Sequence, residues 1–234
     1  MTVGDPRRGA ATVAVMADAV RFHFDMRCPW CYQTSRWVRR LAELGEVTVS
    51  WGVFALELQN FTKPIDRFDP ARGHGIAALR TAVAVRDAVG QDACGAFYSA
   101  VGDRYFVGLE DLADPVTLRA GLADAGLDPD WCDRALADEG TWHTVLADHT
   151  ELVTQTRSFG VPTIRLDDGA GPAIFGPVVS EPPTDDDAVE LWRHVRWLAR
   201  YENFHELKRE RDDGPDLPYW HRFVEARRVE RERS

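Results

Sequence analysis

Residues Phe22-His23-Phe24-Asp25-Met26-Arg27-Cys28-Pro29-Trp30-Cys31-Tyr32-Gln33-Thr34 decide the fold. Before the first cysteine, Ala19 to Asp25 alternates, with Val20, Phe22 and Phe24 on one face, which is strand periodicity. From Pro29 to Leu44 the pattern becomes helical. Trp30, Thr34, Trp37, Leu41 and Leu44 recur at three- and four-residue spacing, and Gly45 supplies a stop. Val47, Val49, Trp51 and Val53 then alternate again. Strand, helix and strand in that order predict a βαβ unit with a parallel pair of strands.

A Cys-x-x-Cys between that strand and that helix has a physical consequence. Cys28 falls at the N-cap and Pro29 at the first helical position, where its missing N–H costs nothing. The Cys28 sulfur then faces free backbone N–H groups and the positive end of the helix dipole, which favour a thiolate over a thiol. A thiolate is the nucleophile of disulfide exchange. Cys31, one turn inward, is placed to resolve the mixed disulfide. Trp30 sets an indole beside the sulfur, either to stack on an aromatic substrate or as an apolar rim. Structural zinc would need four ligands, and neither a second Cys-x-x-Cys nor a Cys-His pair at ligand spacing is present, so no metal is expected. Two inert, buried cysteines are the remaining alternative. The other cysteines, Cys94 and Cys132, read as small buried hydrophobes, and four in all are too few for a disulfide-built fold.

Beyond the second strand the character changes. Phe61 to Gly75 is loop-like, and helical patterns follow over Ile76–Val89, Cys94–Phe106, an Asp114-Pro115 start, Pro129–Ala137 and Thr141–Phe159. This all-helical run separates two α/β pieces, as an inserted subdomain would. Strand signals return at Gly160-Val161-Pro162-Thr163-Ile164, with a turn at Asp167-Asp168-Gly169 and a return strand from Ala173. Thr184 starts a last amphipathic helix carrying Val189, Leu191, Trp192, Val195 and Leu198. The expected organisation is an N-terminal extension over 1–18, an α/β domain over 19–60 and 158–201, a helical subdomain over 61–157, and a charged C-terminal extension over 202–234. The last dozen residues read as a frayed helix or disordered chain.

Phe22-His23-Phe24-Asp25 with Cys28-Pro29-Trp30-Cys31 and Thr34-Ser35-Arg36-Trp37 resembles the DsbA-like branch of the thioredoxin superfamily. The helical insertion, the Gly-Val-Pro-Thr loop, Phe175-Gly176-Pro177-Val178 and Phe204-His205-Glu206-Leu207-Lys208-Arg209 extend the likeness over nearly the whole chain. Within that branch the chain is most similar to the actinobacterial mycothiol-dependent nitroreductase group. It differs in its long charged tail, in Tyr32 after the motif, and in Val161 where threonine is usual before the proline. The resemblance implies an α/β thioredoxin-like fold with a helical lid, Cys28 as nucleophile and Cys31 as resolving cysteine. It implies mycothiol as a thiol co-substrate with no tightly bound cofactor, a cytoplasmic homodimer, and nitroaromatic reduction. Glutathione-transferase-kappa-like relatives carry serine at the first cysteine position, so two cysteines favour redox over isomerase chemistry. In such a fold a cis proline packs against the Cys-x-x-Cys. That assigns Pro162 to this place and the Val161 backbone to docking substrate thiols, with Thr163 beside them. The alternative is an ordinary proline at a strand start.

Composition bounds the partners. In 234 residues, 44% hydrophobic and 28% charged, there is material for a core, and no apolar stretch approaches a membrane span. A formal charge of -10 makes the chain no counterion for nucleic acid or anionic lipid. The expected partner is a small thiol or disulfide, with protein thiols as the alternative. Arg7, Arg8 and the Ala-rich stretch to Ala19 read as a floppy extension, with a short, weakly apolar secretory signal ending at Ala17-Asp18-Ala19 as the minor alternative and Met16 as an alternative start. A secreted disulfide oxidase and a non-catalytic redox sensor or client-binding protein stay open as rival functions.

Single residues carry further expectations. Asp25 reads as a proton acceptor for Cys31 or, preferably, a solvent-facing turn residue. His23 reads as a satisfied structural histidine, and Asn60 as a polar contact at the site's mouth. His143, Asp148 and His149 read as exposed helix residues, and Arg36, Arg39 and Arg40 as a solvated helix face.

Overall fold

The computed structural model describes residues 17–211 and 214–232. The signal-peptide and Met16 readings, and nearly all of the expected N-terminal extension, lie outside the described residues. The first strand, β1 (Asp18–Phe24), is followed by α1 (Pro29–Glu43), β2 (Val47–Val53) and the short α2 (Leu56–Gln59). The helices of the insert are α3 (Ile76–Ala88), α4 (Gln91–Gly102), α5 (Pro115–Asp124), α6 (Trp131–Ala137) and α7 (Glu139–Thr156). A hairpin of β3 (Thr163–Leu166) and β4 (Ala173–Phe175) leads to α8 (Asp185–Arg200) and α9 (Pro218–Glu232).

The four strands form one sheet in the order β2-β1-β3-β4. β1 and β2 run parallel, Phe22 opposite Trp51 and Phe24 opposite Val53, because α1 carries the chain back across the sheet. β3 is antiparallel to β1, with His23 opposite Thr163, and β4 is antiparallel to β3. This is the thioredoxin-like sheet with a helical insert. Gly45, at φ +77, takes the left-handed conformation that ends α1 and lets β2 begin two residues later.

The core lies on both faces of β1. On one face Phe24 stacks on Tyr98 of α4 at 3.9 Å, and Trp51 meets both rings edge-on. On α1, Trp37 donates its indole N–H to the Ala188 carbonyl at 3.1 Å and packs edge-on against Trp192, fixing α8 beneath the sheet. Trp192 and Arg196 in turn both bond Asp18, at 3.1 and 2.7 Å.

Several exposed-face expectations are corrected by burial. His23 is only 4% exposed and neither ring nitrogen has a partner, so it is not a satisfied histidine. Gly52 of β2 lies against its imidazole, where a Cβ would stand 2.5 Å from Nδ1. His149 is buried against the Phe54 ring, and Asp148 pairs with Arg86, whereas His143 is exposed. Arg39 lies 5.9 and 5.8 Å from the Trp51 and Tyr98 ring centres instead of on a solvated face. Arg36 is exposed, and Arg40 pairs with Glu43 and Asp185. Of the last dozen residues, expected as frayed or disordered, residues 223–232 continue α9.

Candidate active site

The end of β1 and the start of α1 bring the two cysteines together. Cys28 is the N-cap of α1 and Pro29 its first residue, as the spacing predicts. The Cys28 sulfur accepts the Cys31 N–H at 3.3 Å, which satisfies one of the orphan donors of the first helical turn. The same sulfur lies 3.6 Å from the Val161 carbonyl, to which the thiol donates. The Val161–Pro162 peptide bond is cis, and so is Gly176–Pro177. All four cysteines are free thiols. Cys28 retains 5% exposure, whereas Cys31 is fully enclosed.

The loop around Val161 is pinned from within. Thr163 donates its hydroxyl to the Gly160 carbonyl at 2.9 Å and lies 3.2 Å from the Ser158 hydroxyl. The Thr163 side chain thus holds the loop, while the Val161 backbone faces the sulfur. Asn60 stands elsewhere in the bonding pattern. It is exposed, ends α2 and donates its amide to Leu56 of the same helix at 2.8 Å.

Asp25 corrects the turn reading. Its carboxylate is 1% exposed and accepts the Arg27 N–H and the Leu56 N–H, each at 2.7 Å. Burial pushes its pKa up to about 6, against the pull of those two donors and of the Arg27 charge. The Cys31 thiol is pushed well up by burial, by its hydrogen bond and proximity to Cys28, and by the charge of Asp25. The inner cysteine therefore holds its proton tightly, and the buried carboxyl next to it is a group able to take one near neutrality.

The outer wall of the site comes from a part of the chain expected to be a loose tail. Trp30 faces Trp220 of α9 with 6.2 Å between ring centroids, and the Arg211 guanidinium lies 5.0 Å above the Trp30 ring. Gln33 of α1 donates to the Ser180 and Asp216 carbonyls at 2.8 and 3.3 Å, and Leu217 is buried. Gly214 passes so close under Trp220 that a Cβ there would come within 1.5 Å of its indole nitrogen. Tyr219 packs on Tyr105 and Phe106, which a π turn (Asp103–Val107) at the end of α4 directs toward it. These contacts were missed because charge dominates the tail. The run Pro215-Asp216-Leu217-Pro218-Tyr219-Trp220, apolar and aromatic amid Arg and Glu, is the signal that marks them.

Among the described residues no group of three or more His, Cys, Asp or Glu is placed to hold a metal, and no helix is long and apolar enough to cross a membrane.

Comparison with known proteins follows the same lines. A family model described as the mycothiol-dependent nitroreductase Rv2466c matches residues 27–209. The Mycobacterium tuberculosis protein Rv2286c, described as uncharacterized, is 34% identical over 192 residues, 81% of this chain and 81% of its own. The cytosolic disulfide reductase DsbM from Pseudomonas aeruginosa superposes with a TM-score of 0.54 at 18% identity, covering 77% of this chain and 100% of that one. A probable DsbA oxidoreductase from Streptomyces coelicolor superposes with a TM-score of 0.51 at 19% identity, covering 86% and 97%. At such identities the structures establish a common fold.

Proposed function

The chain belongs to the family of the mycothiol-dependent nitroreductase Rv2466c, whose fold is that of thiol–disulfide oxidoreductases, and on that premise we propose that Cys28 and Cys31 cycle between dithiol and disulfide at the expense of mycothiol. One observation carries the reading. The Cys28 sulfur sits at the N-cap of α1, within reach of the Cys31 N–H on one side and the Val161 carbonyl on the other. A sulfur so placed faces the open end of the first helical turn and lies beside backbone able to align an incoming disulfide.

The Cys28 thiolate attacks one sulfur of a substrate disulfide and releases the other as a thiolate. Cys31 gives its proton to Asp25 and attacks the Cys28 sulfur, releasing the second substrate thiol and closing the protein disulfide. Two electrons have then passed from protein to substrate. One mycothiol reopens the disulfide, a second releases the first as mycothiol disulfide, and the dithiol returns. With a nitroaromatic acceptor, the same two electrons and two protons yield a nitroso product and water. Trp30, Pro29, Val161 and Pro162 line the approach to Cys28 in this reading, Thr163 holds the loop, and Asn60 is a polar contact at the mouth. The protein acts in the cytoplasm as a homodimer, with small thiols as partners. The cytosolic disulfide reductase DsbM, which shares the fold, is in keeping with that compartment.

The test is intact-mass analysis of reduced Cys31→Ser protein incubated with mycothiol disulfide. One mycothiol adduct is expected, absent from the Cys28→Ser/Cys31→Ser variant. No adduct, while a generic aromatic disulfide still labels Cys28, would replace mycothiol by a protein thiol partner. Consumption of a nitroaromatic with mycothiol as sole reductant, lost in Cys28→Ser, tests the acceptor.

A further inference from the structure

The C-terminal helix is not only a cover for Trp30. Between α9 and the π turn lies an open slot of about 250 Å³, just below the range of about 300–1,000 Å³ for drug-sized ligands and with room for a single ring. Tyr105 and Tyr219 meet in it at 4.9 Å, and Phe223 and Leu109 complete its apolar walls. Two charged residues stand at its rim. Glu110 is held by Arg104, at 2.9 and 3.1 Å, a cation that Asp124 shares at 2.7 Å. Arg222 enters no ion pair among the described residues, so its guanidinium is free for a ligand. The slot is connected to the reactive sulfur by rings in contact. Phe223 meets Trp220 at 5.5 Å, and Trp220 meets Trp30, which stands between the two cysteines.

We propose that this slot binds a planar aromatic anion, its ring against Tyr105, Tyr219 and Phe223 and its negative group on Arg222. Aromatic walls favour a flat ring by offset or edge stacking, and a free guanidinium favours a carboxylate or similar oxyanion. A neutral aliphatic ligand would use neither. The helix that supplies Tyr219, Arg222 and Phe223 lies beyond the residues 27–209 that match the family model. The inference deepens the oxidoreductase reading and rests on it for its role, which is to gather aromatic acceptors beside Cys28.

The experiment uses the full-length reduced protein and two probes, 4-nitrobenzoate and the uncharged 4-nitrobenzyl alcohol, with quenching of tryptophan fluorescence as readout. Saturable quenching by 4-nitrobenzoate is expected, and Arg222→Gln should weaken it about three- to tenfold while leaving the alcohol unchanged. Arg222 is exposed, so the variant folds. Phe223→Ala should weaken both probes. Equal affinity of wild type and Arg222→Gln for 4-nitrobenzoate, or quenching that never saturates, would overturn the slot. Binding needs no turnover, so the two readings separate. A mycothiol adduct without saturable binding removes the slot alone, and saturable binding without thiol chemistry removes its role beside Cys28.

Discussion

Asp25 accepts the backbone N–H of Leu56 at 2.7 Å, so one buried carboxylate joins the end of β1 to the segment after β2 directly under the cysteine pair. Its raised pKa of about 6 has two consequences with opposite pH signs. For chemistry, closure of the disulfide by Cys31 should quicken as pH rises through about 6, where Asp25 becomes a base. Stopped-flow release of thiol from the Cys28 mixed disulfide should show that inflection in wild type. Asp25→Asn should lose it and run about tenfold slower or more. For stability, the folded state holds the Asp25 proton more tightly than the unfolded chain. Its contribution is full below the unfolded value of 3.8 and is lost as pH rises through about 6, a change of about 3 kcal/mol. Asp25→Asn should therefore be more stable than wild type at pH 8, by about 2 kcal/mol after one lost hydrogen bond, and show no gain at pH 4.

Two histidines pull the other way. Burial, together with Arg165, Arg21 and Arg86, lowers His23 to about 3, and burial lowers His149 to about 4. Both are neutral when folded and take up a proton on unfolding below 6.5, so their contribution is full above 6.5 and lost as pH falls. Together they are worth more than the single opposing shift of Asp25, and wild type should lose stability from pH 6.5 to pH 4. Denaturant titrations across that range check the sign. His149→Phe, which keeps a ring against Phe54, should flatten the slope.

The sequence resolved what local pattern encodes. Alternation placed β1 and β2, three-and-four spacing placed α1, and the Cys-Pro pair placed its N-cap. It failed where burial is decided by an element far along the chain. His23 alternates outward on β1, but Gly52 of β2 lies against its ring and the charges of Arg165 on β3 and Arg86 on α3 act on it. Arg39 looks like one of a row of surface arginines, and only α4 brings Tyr98 to its guanidinium. Asp25 three residues before a cysteine suits a turn equally well until α2 supplies the Leu56 N–H.

Gly52 shows how tightly the His23 face is closed. An added Cβ would lie 2.5 and 2.6 Å from two atoms of the imidazole, so the ring or the strand must shift. Gly52→Ala should cost about 1–3 kcal/mol in equilibrium unfolding. His23→Ala made alone should also destabilise, by opening a cavity. Combined, the two should cost less than the sum of the singles, because each fills or vacates the space of the other. Strict additivity would mean that the contact is not the cause.

Arg80 sets the stability of the helical insert. It lies on α3 and is 9% exposed, yet among the described residues it pairs with no carboxylate in hydrogen-bond contact. One terminal nitrogen donates to the Ala135, Leu136 and Asp138 carbonyls at 3.1, 3.1 and 3.0 Å, and Nε donates to the Thr141 hydroxyl at 2.9 Å. Ala135 and Leu136 belong to the last turn of α6 and Asp138 caps α7, so one cation closes α6 and ties it to α3 and α7. Arg80→Met fills similar space but takes this donor from the Leu136 carbonyl and leaves those of Ala135 and Asp138 to Thr141 alone. It should cost about 3 kcal/mol, and Arg80→Lys should recover part of that, since an ammonium lacks the planar fork. The effect should be local. Cys132 on α6, fully enclosed in wild type, should react with a thiol reagent sooner in Arg80→Met, while labelling of Cys28 keeps its rate. Equal protection of Cys132 in the two proteins would show that α6 is held by its apolar face instead.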